Sequence, residues 1–411
     1  MFCFILVLAT AAVAEENWPQ FRGASQEGIS DATGLPTAWS ESQGVKWKTA
    51  IPGVGWSSPV IWGRQVWLTT ATPDGRSRRA IGIDKSTGKI IHDVAVFKPA
   101  VPEPKNPFNS YASPTPVIEQ GRVYVSFGTA GQACLDTSSG TILWKNEELK
   151  IDHMEGPGSS PILYKNLYII HCDGTDAQYI TALDKQTGKI AWKTPRSYDF
   201  EGTHLMWPMR KAFDVPTVAR VDGKDQIISV GAKRVYGYEP ETGREIWCCD
   251  IPGFSVATRP IYRDGVIYVG TGHMKAELWA IRIAGAKGNV TQTNVLWTLM
   301  QGVPLRSSPA VVGEHIYFTT DDGIARCIER KDGRQVWQKR IGTGFSASPL
   351  YAAGNLYFFS ERGQTIVIKP GGDTPEIVGE FALDDGFLAS PAVSGSALYL
   401  RTRTHLYRIE K

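Results

Sequence analysis

Apolar residues along this chain fall in short runs bounded by turn formers, and no stretch keeps the 3.6-residue spacing of an amphipathic helix. One unit shows the pattern. Ser159-Ser160-Pro161-Ile162-Leu163 opens a strand, Lys165-Asn166 turns the chain, and Leu167–Ile170 and Tyr179–Leu183 alternate as a second and third strand. Asp184 through Lys189 then forms a hairpin, with an Asp that can bond back to the backbone and a Gly that accepts positive φ. Ile190-Ala191-Trp192-Lys193 is the outer strand. The pattern predicts a four-stranded antiparallel sheet.

The unit recurs. Its opening prolines are read at Pro59, Pro114, Pro161, Pro216, Pro260, Pro309, Pro349 and Pro391, a mean spacing of about 47 residues, which is the period of propeller blades. The hairpin and its tryptophan return as Asp136…Gly140…Trp144, Glu239…Gly243…Trp247 and Glu329…Gly333…Trp337, with Trp297 after a longer hairpin. These tryptophans are expected to wedge between blades. The last unit, from Ser390-Pro391, supplies three strands, and Val45–Ile51 carries a tryptophan, Trp47, where the missing outer strand needs one. The expectation is an all-β, eight-bladed β-propeller of four-stranded blades, closed by an N-terminal strand completing the last blade. Residues 1–14 read as a signal peptide, 15–44 as an N-terminal leader packing on the propeller, and 45–411 as the propeller.

Composition adds little to that picture and removes some functions. Lys plus Arg number 44 against 41 Asp plus Glu, interspersed along the chain, so no basic face for nucleic acid is expected. Phe2–Val13 is apolar, too short to span a bilayer, and Ala12-Val13-Ala14 suits a signal cleavage site, although no Lys or Arg follows Met1. Export to the periplasm or cell envelope is the expectation, with no transmembrane segment after signal removal and a monomeric ring. Cys134, Cys172, Cys248, Cys249 and Cys327 are an odd, scattered set that makes neither a disulfide framework nor a zinc spacing.

The Ala-x-Asp-x-x-Thr-Gly-x-x-x-Trp unit, clearest at Ala182 to Trp192, resembles the repeats of the PQQ-like (quinoprotein-type) β-propeller family, which includes PQQ-dependent dehydrogenases and the BamB-like outer-membrane assembly factors. Asn17-Trp18-Pro19-Gln20-Phe21-Arg22-Gly23 with Gly28-Ile29-Ser30 is similar to the start of exported bacterial proteins with such repeats. The resemblance implies the fold, while one fold hosts many activities. It admits two functions. A quinone enzyme of alcohols or sugars would need PQQ with calcium, held by carboxylate and amide oxygens, a catalytic Asp, a stacking Trp and often a vicinal disulfide. Cys248-Cys249 fits that last feature in sequence, but alternation on a strand turns one side chain in and one out, which suits two unpaired thiols or a local disulfide. No dense carboxylate cluster offers calcium its 6–8 oxygens, so no cofactor is expected and an enzyme is the second choice. The first is a non-catalytic platform that binds a protein or cell-envelope component.

For that platform the candidate contacts are His204, Trp207, Arg210, Leu305 and Arg306. The first three sit in the loop Thr194–Asp214, where Trp plus Arg is interface composition, with Trp207 packed on the channel mouth as the alternative. Leu305 and Arg306 follow from likeness to the Leu-Arg loop with which BamB-like propellers meet the outer-membrane insertase. Asp214 and Arg259, charged where other blades carry Ser or Ala, are assigned to the channel mouth, as a salt bridge or as holders of a polar or carbohydrate ligand. The proline-dense loop His92–Tyr111 reads as a semi-rigid cover or recognition loop. His153, Glu155, His171 and His273 share one face, and no Ser-His-Asp pattern is visible along the chain.

Overall fold

The computed structural model describes residues 17–203 and 206–411. Eight antiparallel four-stranded sheets form a ring, so the chain is an eight-bladed propeller. The first blade runs from Val60–Trp62 through Ile90–Phe97, and the ring closes where Val45–Ala50 pairs with His405–Ile409 as the outer strand of the eighth blade. Trp47 sits opposite Arg408 in that pairing. Two blades gain a fifth strand. Gly288–Asn289 runs parallel to Glu245–Asp250 on the fourth, and Ile29–Ser30 runs parallel to Leu350–Ala352 on the seventh.

Tryptophan and glycine lock neighbouring blades. The rings of Trp47, Trp144, Trp192 and Trp297 each lie on a hairpin glycine of the next blade, Gly88, Gly188, Gly243 and Gly333, where a Cβ would come within 2.3–2.8 Å of the ring. Each indole N–H donates to a carbonyl of that same hairpin, as Trp144 does to Lys185 at 2.9 Å. The glycine therefore does two jobs, taking φ near +72° and leaving room for the indole. Trp247 departs from the expectation. It is fully buried, bonds Gln226 at 2.8 Å and packs on Gly237 of its own sheet, because the long hairpin of the fifth blade places a strand, not a glycine turn, beside it. The first blade has no tryptophan at this place, and His92 covers Gly140 instead. Gly188→Val is expected to combine the cost of φ > 0 with overpacking against Trp144, about 2–4 kcal/mol, read as a lower urea midpoint.

The Ser-Pro signature has a separate role. The residue before each strand proline stands at the axis, and in six blades it carries a hydroxyl: Ser58, Thr115, Ser160, Ser308, Ser348 and Ser390. The hydroxyl accepts a backbone N–H from the preceding blade. Ser58 N–H reaches Thr115 Oγ1 (2.9 Å), Thr115 reaches Ser160 (2.8 Å), Arg259 reaches Ser308 (2.9 Å), Ser308 reaches Ser348 (3.0 Å), Ser348 reaches Ser390 (2.9 Å) and Ser390 returns to Ser58 (3.0 Å). This crown corrects the second repeat. Its strand Val117–Glu119 follows Pro116, so Pro116, two residues beyond Pro114, is the repeat proline.

Residues 17–44 cross the end of the channel opposite the long loops. Trp18 bridges Ile61, Pro19 carbonyl takes the N–H of Ile118, Gln26 takes that of Val218, and Gly28 that of Tyr351, so one segment ties inner strands of four blades. Arg22, itself buried, donates to the carbonyls of Ser308 (3.2 Å) and Pro309 (2.6 Å).

Candidate functional site: a funnel on the loop face

Inner strands run from the long-loop face toward the leader. The loops joining each outer strand to the next inner strand therefore share one face with those joining second to third strands. They surround a funnel of about 690 Å³ on the axis. Trp56, Phe108, Phe213 and Phe254 supply aromatic walls, Ser58, Thr115, Ser160, Ser348 and Ser390 the inner part, and Phe21 of the leader part of the lining.

The proline-dense loop is a strap across this opening. The fully buried guanidinium of Arg78 pairs with Glu103 at 2.7 Å and lies 4.0 Å from the Tyr111 ring, anchoring both sides of the loop tip. Asn109 donates to the carbonyls of Glu155 (2.8 Å) and Pro157 (3.1 Å). Trp56 holds the carbonyl of Phe108 at 3.0 Å, and the Phe108 ring reaches Arg306 of the sixth blade at 4.6 Å, on the far side of the funnel.

The ionic groups of the wall are matched among themselves. Lys211 pairs with Glu155 at 2.9 Å, and Arg306 with Asp321 at 2.9 Å and Glu361 at 3.2 Å. Burial raises the Glu155 carboxyl, but the bonds from Lys211 and Asn106 outweigh it and hold the group below its usual range.

The candidates from sequence divide. Leu305 and Arg306 line the funnel, with Arg306 committed to its two carboxylates. Trp207 and Arg210 share a single 3-10 turn, Trp207–Arg210, and Trp207 is 54% exposed, standing off the mouth instead of packing on it. Arg210 pairs with Glu201 at 2.6 Å. His204 lies outside the described residues. Asp214 and Arg259 form no ion pair with each other. Asp214 turns into the protein to His171, and Arg259 bonds the carbonyls of Pro216 (2.8 Å) and Phe21 (2.6 Å) and the side chain of Gln26 (2.6 Å).

The fold also assembles what the chain order hides, a Ser159–His171–Asp214 relay. Ser159 Oγ lies 2.5 Å from His171 Nε2, and His171 Nδ1 lies 2.9 Å from Asp214 and 3.0 Å from Asp173. Arg196 completes the cluster, gripping Asp173 at 3.0 and 2.7 Å and bonding Ser229 and Tyr238. Burial works against the His171 charge, but Asp214 and Asp173 outweigh it and raise its pKa to about 9. Ser159 and His171 are buried, and the adjoining cavity of about 10 Å³ has room for one water and none for a substrate, so the cluster reads as a structural clamp. His153 borders that cavity, neutral, its pKa lowered to about 4 by burial, and accepts the N–H of Thr129 at 3.1 Å. His273 lines the funnel against Phe254, away from His153 and His171, and among the described residues no three His, Cys, Asp or Glu converge as metal ligands.

The family model for outer membrane protein assembly factor BamB matches residues 29–194 and 176–411, nearly the whole described chain. The chain belongs to the BamB family. A BamB from Yersinia pestis is 25% identical over 178 residues, covering 42% of this chain and 41% of that protein. A quinoprotein ethanol dehydrogenase from Pseudomonas aeruginosa is 21% identical over 381 residues, covering 83% of this chain and 51% of that protein. This BamB-family chain thus spans about half or less of the length of these two relatives. Among solved structures, a europium-containing methanol dehydrogenase superposes with a TM-score of 0.71 at 10% identity, over 95% of this chain and 90% of that one. BamB from Moraxella catarrhalis gives 0.62 at 12%, over 89% and 97%. These two likenesses establish the fold alone.

Proposed function

We propose that this BamB-family propeller is a non-catalytic binding platform of the cell envelope, which engages a protein partner through the funnel face. The observation that carries the reading is the composition of the rim. Phe108, Met154, Met206, Trp207 and Met274 are 43, 37, 62, 54 and 69% exposed, and each lines the funnel or stands within two residues of a lining group. Methionine and aromatic side chains on loops offer adaptable apolar area, the composition of protein-recognition surfaces. The BamB relatives, described as outer membrane protein assembly factors, support the same class of role.

The quinone-enzyme reading has less support. The funnel carboxylates Glu155 and Asp321 are bound to Lys211 and Arg306, and Glu361 beside the funnel also pairs with Arg306, leaving no oxygen cage for calcium among the described residues. Cys248 and Cys249 are free thiols on opposite faces of the outer strand Glu245–Asp250, one packed toward the third blade and one toward the fifth, so they form no lid over a quinone. The residues present do not fit PQQ with calcium.

The test combines two measurements on the full chain. Trp207→Ala with Met274→Ser is expected to weaken retention of envelope proteins on the immobilised propeller by about 30-fold or more without lowering the melting temperature, because hot-spot truncations cost about 2 kcal/mol or more. Purified protein supplied with PQQ and calcium is expected to show no dye-linked alcohol oxidation. Stoichiometric quinone binding with turnover sinks the platform reading.

A further inference from the structure

The inner end of the funnel has an unusual donor set. Ser58, Thr115, Ser160, Ser348 and Ser390 line it, are 2, 3, 3, 2 and 5% exposed, and each accepts one backbone N–H. Among the described residues none of the five hydroxyls has an acceptor for its own proton. Each hydroxyl is free to turn its proton into the funnel, so this end is complementary to a group that carries only acceptors.

The charge behind it has a sign. Arg259 reaches the carbonyl of the lining residue Phe21, and Arg22 and Arg263 gather with it around one carboxylate, Glu27. Arg22 and Arg259 place their other bonds on neutral oxygens, and Asp214, the next carboxylate, is held by His171. Burial lowers the pKa of both arginines to about 9, still charged at neutral pH. Positive charge behind a set of hydroxyl donors is an oxyanion seat.

The shape says how the oxyanion arrives. The leader ties the inner strands together across the opposite end, so the funnel is blind. A chain terminus can enter a blind funnel end-on, whereas an internal acidic side chain would bring two lengths of backbone through the mouth under the Phe108 strap. We propose that the inner end of the funnel seats the terminal carboxylate of an extended polypeptide segment, an inference that rests on the funnel face being a protein-binding surface.

The experiment uses the full chain immobilised and two pools of synthetic octapeptides, randomised at every position, one with free C-terminal carboxylates and one amidated. The acid pool is expected to be retained at least tenfold more than the amide pool, and sodium acetate, but not choline chloride at equal ionic strength, should displace it. Ser348→Ala, with its melting temperature measured alongside, should reduce retention of the acid pool and leave that of the amide pool unchanged. The acid–amide comparison needs no variant and stands if Ser348→Ala fails to fold. Equal retention of both pools, lost on Trp207→Ala, leaves the platform standing and overturns the carboxylate seat. Retention of neither pool, with acetate or inorganic phosphate still raising the melting temperature, overturns both.

Discussion

Arg196→Met is expected to be among the most destabilising single substitutions in this propeller, at about 3–5 kcal/mol. Arg196 is the cation that binds both oxygens of Asp173, and it also holds Ser229 at 2.9 Å and Tyr238 at 3.2 Å. Removing it leaves Asp173 and Asp214 to share His171 as their single cationic partner in a site where all three side chains are at most 1% exposed. Two carboxylates crowded on one imidazolium at such burial must carry an uncompensated charge or take up a proton. Arg196→Lys should recover only part of the loss, since an ammonium cannot reproduce the two-pronged grip on Asp173. The measurement is the urea midpoint of each variant. A loss under about 1 kcal/mol for Arg196→Met would show that the cluster is wetter and weaker than its packing implies.

Stability is expected to peak near pH 6.5 and fall on both sides, with a different histidine responsible for each limb. His171 has its pKa raised to about 9 by Asp214 and Asp173, which outweigh its burial, against about 6.5 in the unfolded chain. The folded state binds this proton more tightly, so its contribution is fully present below pH 6.5 and is lost as pH rises through 9. His153 has its pKa lowered to about 4 by burial, so its contribution is present above pH 6.5 and is lost as pH falls toward 4. Each shift corresponds to about 3 kcal/mol at 1.36 kcal/mol per unit. His171→Gln should flatten the alkaline limb and leave the acid limb, and His153→Gln should do the reverse. Comparing each variant with the parent removes the carboxylates and arginines that titrate in both. An alkaline limb of unchanged slope in His171→Gln would show that His171 is neutral in the folded protein.

The clamp bears on the funnel face because it lies just behind the funnel wall. Gly158 lines both the funnel and the small cavity beside His171, and Phe213, next to Asp214, lines the funnel. Loss of the clamp should therefore loosen the loops before the third and fourth blades, which carry Met154 and Trp207.

The ring of eight blades was legible in the residues, and so was its closure at Trp47. Strand alternation, a turn with Asp and Gly, and a tryptophan at constant spacing each report local burial, and local burial repeats because each blade packs on a copy of itself. The same logic read Cys248 and Cys249 correctly as neighbours facing opposite ways. It failed where a repeat was locally ambiguous, taking Pro114 for Pro116, since both prolines follow a small residue and only the strand register separates them.

Tertiary structure alone decided the site. Ser159, His171 and Asp214 come from different strands and loops, as do Phe108 and Arg306, and no spacing announces that they meet. Asp214 and Arg259 hold similar places before neighbouring strands, yet one turns into a buried clamp and the other beneath the axis toward the leader. Periodicity tells which way a side chain points from its own strand. Where two such directions cross depends on the ring's curvature and the path of the loops, which only the assembled blades determine.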